Sequence, residues 1–429
     1  MEYTFYYELS KSSKEAVTYN YTTSKFKTML MHDVYKLDRH YFLPIGYEAS
    51  KKGLKQFSVD FFIAVNKLKD NSIFKFDYTK YRSHESASIE MFKKLAHGKF
   101  ESMDDIDSIE YEWIEACNNA GLNYCAPGKY DCHGYDYSSQ YPSILASEQF
   151  QIPTKRGIQK TITTLPDKLQ VGFYKVRIIS DDIRFKKVFG FSKKHVYTHT
   201  SIMFALMCKN KEGYNIDIEL IQEQNNCYIY GSNKEDGITK GSHIFGKWFN
   251  YMGSLKEIPE CKLLIKLITS SLWGRLAEFN RLFKTDEEIV EQNLDVSLKY
   301  DPSHKYYIRS VKTNRKGDDL CELVNSKNPY YFNIARIKPF LLAKSREMTG
   351  KVAIKYIDDV VRICVDNVTF NQSHDDVVFE KNTFKLTKET KTTGEIEFRY
   401  TTCYYNHSTG YKTKHFDKKD DSDDDSDDE

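Results

Sequence analysis

The run VVRICVDNVTF at residues 360–370 constrains the fold more than any other stretch of this chain. Val360, Val361, Ile363 and Val365 are β-branched and suit a buried strand. Asp366–Asn367 is a tight-turn pair, and Val368, Thr369 and Phe370 start a return strand. The expectation is an antiparallel hairpin with a carboxylate at its tip. A second strand-to-turn junction, YDYSSQYPSIL at residues 135–145, places Asp136 where a short strand gives way to a turn. Between and around these segments, helices and strands mix without βαβ regularity. The chain therefore reads as α+β rather than doubly wound.

Residues 101–120 read as a helix with Ile109, Trp113, Ile114 and Cys117 on one face, stopped at Asn118 to Gly121. Residues 171–231 read as strands: VGFYKVRII, HVYTHTSIMFAL, IDIELI and NCYIYG. Residues 243–280 switch to helical period, with a fresh start at Pro259. Residues 305–325 resemble a hairpin turning at 314–318, and residues 334–357 are largely helical, with Pro339 and Gly350 as weak points.

The chain has 429 residues, of which 40 % are hydrophobic, an ordinary globular balance. Its net charge of +2 includes eight acids and no base in the last ten residues, so the rest carries +10. A basic body with an acidic tail suits a polyanion such as nucleic acid, or is simply a lysine-rich surface with a solubilising tail. Ser422 and Ser426 make that tail a candidate for acid-directed phosphorylation. The nine cysteines are odd in number and show no CxxC spacing, so neither a disulfide framework nor a zinc ribbon is indicated. Cys125, Cys132 and His133 remain candidate metal ligands. No apolar run approaches ~18 residues, and the N-terminus lacks a signal-peptide core, so a reducing, intracellular setting is expected.

One more pattern bears on chemistry. Lys262, Lys266 and Ser270 recur every four residues and share a helix face. Leu263, Leu264, Leu267, Ile268 and Leu272 form the opposite, inward face. Such a face presents two cations, and Lys256 lies just upstream.

Three stretches in order resemble motifs A, B and C of the family B DNA polymerases, closest to the protein-primed branch of viruses and mobile elements. Asp136-Tyr137-Ser138-Ser139-Gln140-Tyr141-Pro142 is similar to D-x-x-S-L-Y-P. Lys266 through Gly274 is similar to K-x-x-x-N-S-x-Y-G, with Ser270 at the asparagine and Trp273 at the second aromatic. Ile363 through Val368 is similar to the D-T-D-S hairpin, with Cys364 at the first aspartate and Asp366 at the second. The resemblance covers about residues 105 to 400. Between motifs A and B, the segment with Tyr197-Thr198-His199 resembles the insertion of the protein-primed branch.

The resemblance implies a right-hand polymerase. Magnesium would be held by Asp136 and Asp366, because phosphoryl transfer uses two ions about 4 Å apart to clamp attacking and leaving oxygens. Backbone amides at Ser138 and Ser139 would cradle the triphosphate. Lys266 would neutralise it, with Lys262, Ser270, Trp273 and Gly274 lining the nucleotide site. Tyr141 matches the tyrosine that excludes a 2′-hydroxyl. Lys385 and Lys388 loosely resemble the duplex-binding segment and would make salt-sensitive backbone contacts. The implied partners are a DNA template-primer, dNTPs and a terminal priming protein, with no membrane.

The implied layout is an N-terminal region at 1–104, a candidate exonuclease remnant; palm at 105–160 with motif A; and a β-rich insertion at 161–240. Fingers with motif B at 241–280 follow, then an insertion hairpin at 281–333 and palm with motif C at 334–380. A reduced thumb-like region at 381–416 and an acidic tail at 417–429 complete it. No D-x-E start of a proofreading exonuclease precedes motif A. Two other readings stand beside this one. A degenerate polymerase fold would bind DNA or protein without catalysis, and Tyr356-Ile357-Asp358-Asp359 resembles the Y-x-D-D of reverse transcriptases.

Overall fold

The computed structural model describes residues 2–9, 15–34, 37, 40–42, 48–81, 83–96, 102–117, 120–231, 235, 237–313, 319–413 and 416. The acidic tail with Ser422 and Ser426, the helix stop at Asn118 and the hairpin turn at 314–318 lie outside these residues. The fold is α+β, and the chain divides into two compact units. One comprises Met1–Ser108 and Ile244–Ala335, the other Ile109–His243 and Arg336–Glu429. Among the described residues, no helix is long and apolar enough to cross a membrane.

In the first unit, strands Thr4–Glu8, Glu15–Asn20, Lys25–Leu30 and His40–Phe42 form one sheet, the last pairing parallel to the first. The helix Lys51–Asn71 covers it. Ser50 caps this helix by accepting from the Gly53 amide at 3.0 Å. Its Phe57 and Phe61 meet the buried Phe5 edge-on at 5.4 and 5.3 Å. The helix Lys262–Leu276 packs against His84–Ala96 and buries Leu264, Ile265, Ile268, Leu272 and Leu276. Leu263 and Leu267, expected inside, are half-buried beside Phe57, Phe61 and Ala64. A four-stranded sheet follows, built on the expected hairpin Tyr306–Thr313 and Asp319–Asn325. Glu322 is 0 % exposed there and accepts from Arg281 at 2.5 Å and Ser310 at 2.6 Å.

The second unit is organised by a seven-stranded antiparallel sheet. Its strands are β1 (Asn123–Cys125), β2 (Gly128–Tyr137), β3 (Val360–Cys364), β4 (Asn367–Phe370), β5 (Phe379–Lys381), β6 (Phe384–Tyr400) and β7 (Cys403–Asn406), in the order β5-β6-β2-β4-β3-β1 with β7 on β6. Two helices bear on the site: α1 (Gln140–Leu145), directly after β2, and α2 (Lys338–Ile354). One face of the sheet carries Tyr135, Tyr137, Ile363, Val368, Phe370 and Leu386. They share a core with Val352 and Ala353 of α2 and with Phe185, Tyr197 and Phe204. Phe384–Tyr400 and Cys403–Asn406, within the stretch expected as a reduced thumb-like region, form β6 and β7 of this same sheet.

Four local expectations change. HVYTHTSIMFAL is a strand only over Val196–Thr198; His199–Asn210 is a helix, because the Thr198 side chain caps it by accepting from the Ser201 amide. Ile109 is 45 % exposed, whereas Glu110 is fully buried against Arg336 and the Tyr230 hydroxyl. Pro339 sits in the first turn of α2, where no amide is lost, and Gly350 is an interior residue beside Phe204 rather than a break. The hairpin turn is Val365–Asp366, one residue earlier than Asp366–Asn367, since Cys364 and Asn367 already pair.

Candidate nucleotidyl-transfer site

The centre of the site follows from sheet register. Asp136 is the penultimate residue of β2, an interior strand. Its cross-strand partners are Asn367 of β4 and Thr387 of β6. One residue on, the Tyr137 amide donates to the Asp366 carbonyl at 3.0 Å. Asp136 and Asp366, 230 residues apart in sequence, are thus neighbours through the backbone ladder, and both are half-buried. Strand pairing forces this adjacency whatever the side chains do.

Asp366 stands in a two-residue turn whose first residue, Val365, has φ +56°. A β-branched residue in the left-handed region is strained by roughly 1–3 kcal/mol and persists only where its surroundings hold it. Cys364 stands at one end of the cross-strand row Cys364–Asn367–Asp136–Thr387. Burial pushes its thiol pKa up, and the nearby carboxylates of Asp366, Asp136 and Glu389 push it further, against the Arg362 cation. The thiol stays neutral near pH 7, so Cys364 supplies no charge for a cation.

Beneath that row lies a polar network that sequence reasoning missed. The Asn367 side chain accepts from Arg362 (2.8 Å) and Thr369 (3.0 Å) and donates to Glu389 (2.9 Å) and Thr392 (3.2 Å). All four hydrogen-bonding positions of its amide are filled. Arg362, 5 % exposed, also donates to the Thr401 carbonyl at 2.6 Å. One residue is therefore next to Asp366 in sequence, opposite Asp136 in register and bonded on four sides.

The turn after Asp136 departs from expectation. The Ser138 amide donates to the Lys385 carbonyl at 2.9 Å, so it is already committed to the sheet and cannot cradle phosphate without breaking that bond. Ser139 sits at φ +55° and opens α1 without a side-chain cap. Tyr141 is half-buried, and burial pushes its hydroxyl pKa up; Ser345, Asp366 and Arg346 lie around it. Gln140, 2 % exposed, replaces the leucine of the motif. It donates to Thr349 at 3.0 Å and accepts from Ser345 at 2.5 Å, both on α2.

No protein-family model matches the chain, and no curated protein matches it. Solved structures do. Phi29 DNA polymerase complexed with single-stranded DNA aligns over 87 % of this chain with a TM-score of 0.54 at 13 % identity. The orthorhombic crystal form of the same enzyme aligns over 86 % with a TM-score of 0.53 at 14 % identity. The chain shares its fold with phi29 DNA polymerase. It spans 64 % and 62 % of those two chains, less than two thirds of their length.

Within the first unit of this polymerase-like fold, Lys262, Lys266, Ser270 and Gly274 are exposed along the helix Lys262–Leu276, and Trp273 is half-buried. Burial lowers the pKa of the Lys256 ammonium, and Lys266 and Lys262 lower it further. Three lysines therefore lie close enough to repel one another. In the second unit, strand alternation sets Lys385 on the Asp136 face of β6 and Lys388 on the opposite face, since Thr387 pairs Asp136 and Lys388 pairs Tyr135. Lys385 bonds Glu380 at 2.8 Å and Lys388 bonds Asp375 at 2.6 Å.

Among the described residues, no group of three or more His, Cys, Asp or Glu side chains converges as a metal cage. Cys132 and His133 are consecutive in β2, so they point to opposite faces. Magnesium needs no cage: it takes one or two carboxylates and completes its shell with substrate phosphates and water. Asp136 and Asp366 match that donor set. Asp359, the alternative acid, lies at the other end of β3, where His374 Nε2 meets it at 2.8 Å and the His374 ring stacks on Tyr356 at 3.6 Å.

Proposed function

We propose that this chain is a DNA-directed DNA polymerase core that adds dNTPs to a primer 3′-hydroxyl or a terminal protein. The observation that carries the reading is the ladder contact that makes Asp136 and Asp366 neighbours, on a fold shared with phi29 DNA polymerase. Bound magnesium would neutralise the phosphates and lower the pKa of the attacking hydroxyl. Asp136 and Asp366 would hold it. Lys266, with Lys262 and Lys256, would balance the triphosphate charge; Ser270, Trp273 and Gly274 would border the base pair. Tyr141 would lie under the sugar and exclude a 2′-hydroxyl. The Ser139 amide and the Ser138 and Ser139 hydroxyls remain as phosphate donors, while the Ser138 amide does not. Lys385 would follow the duplex backbone on the Asp136 face.

Cys364 favours a second reading, a polymerase fold that binds DNA without turning over, because the hairpin offers one carboxylate where the motif has two. Primer extension on a primed template with Mg²⁺ and four dNTPs separates the two. Extension by the wild type supports the polymerase. A gel shift without extension supports the binding module.

A further inference from the structure

We propose that Thr349 is a positioning residue whose hydroxyl clamps the Val365 carbonyl and so holds the turn that presents Asp366. Its functional half rests on the polymerase reading; its structural half stands on the turn alone. Val365 is strained at φ +56° and is held at three points. Its amide donates to the Leu122 carbonyl at 2.8 Å. Its carbonyl accepts from Thr349 Oγ1 at 2.8 Å. Its side chain lies so close to Gly121 that a Cβ there would come within 2.9 Å of Val365 Cγ2. Two of these anchors come from the chain before β1; Thr349 is the anchor from α2.

The Thr349 hydroxyl is itself oriented. Thr349 is 0 % exposed, and the Gln140 amide donates into its oxygen at 3.0 Å. With that lone pair filled by a donor, the hydroxyl proton is directed to the Val365 carbonyl. Ser345, 1 % exposed, fixes the other end of Gln140. A buried chain of hydrogen bonds therefore runs from the fourth residue after Asp136 to the residue before Asp366. A leucine at 140 could not donate, so the polar residue at this position and the clamp belong together.

The test compares Thr349→Val, which keeps shape and loses the hydroxyl, with Thr349→Ser, which keeps the hydroxyl, and with Thr349→Val/Val365→Gly, whose glycine adopts positive φ without strain. Amide exchange at residues 364–367 and single-nucleotide incorporation are both measured, with thermal melting to confirm folding. The clamp predicts faster exchange at 364–367 in Thr349→Val. It also predicts kcat lowered about tenfold at a KM for dNTP changed less than about twofold, with recovery in Thr349→Ser and partial recovery in the double variant. Unchanged exchange in a folded Thr349→Val overturns the clamp. Equal losses in Thr349→Val and Thr349→Ser also overturn it, because packing alone would then explain them. If the wild type extends no primer while Thr349→Val still loosens the turn, the clamp stands and the polymerase reading falls.

Discussion

Asn367, opposite Asp136 in register and next to Asp366 in sequence, has its side-chain amide bonded on four sides. Its four hydrogen bonds join a buried cation, Arg362, to a carboxylate, Glu389, without direct contact between the charges. Removing Glu389 would leave the buried Arg362 cation without its bridged counter-charge, which is costlier than losing one hydrogen bond. A half-buried imidazole, His199, gives the chain an acid sensitivity. Burial pushes the pKa of His199 down to about 4 from its ordinary value of 6.5. Below about 6.5 the unfolded chain binds a proton that folded His199 refuses. Stability from neutral His199 is therefore complete above pH 6.5 and is lost as pH falls towards 4. The melting temperature should drop across that window, and His199→Gln should flatten the slope; identical slopes would remove His199 from the account.

At the scale of elements, the helix Lys262–Leu276 acts as a cationic face on an apolar base. Lys266→Ala should raise the KM for dNTP about tenfold with the protein's melting temperature unchanged, because the side chain is exposed. A parallel loss of stability would mean the lysine supports packing instead. This helix was legible because its apolar residues repeat at helical spacing, and the β3–β4 hairpin because Val360, Val361 and Ile363 are β-branched beside a turn pair. The helix His199–Asn210 was not. Its Thr, Ile and aromatic content favours strands, and only the Thr198–Ser201 capping pair announces it. Gln140, Thr349 and Asn367 were illegible as site residues for another reason. Their partners lie 2 to 209 residues away, and a polar residue in a helix or a strand looks solvent-facing until the tertiary fold buries it.

For the whole molecule, the basic charge of the chain outside its last ten residues predicts salt-sensitive binding to nucleic acid. Sheet alternation sharpens the prediction to two residues. Lys385→Ala should reduce the slope of log binding constant against log salt by about 1, whereas Lys388→Ala, on the opposite face and paired with Asp375, should leave it unchanged. Equal effects from the two would contradict the assignment of the Asp136 face as the DNA face. The fold shared with phi29 DNA polymerase extends over most of the chain. What the chain adds is local: Cys364 where the motif has an aspartate, Gln140 where it has a leucine, and hydrogen bonds that tie Gln140 through Thr349 to the hairpin.

The central claim is that Asp136 and Asp366 together support metal-dependent nucleotide addition. It is tested most directly by Mg²⁺-dependent primer extension with the wild type, Asp136→Ala, Asp366→Ala and Asp359→Ala side by side. The account predicts extension by the wild type, losses of at least about a thousandfold in the first two variants, and activity within about threefold of wild type in Asp359→Ala. An active Asp366→Ala beside a dead Asp359→Ala would contradict it.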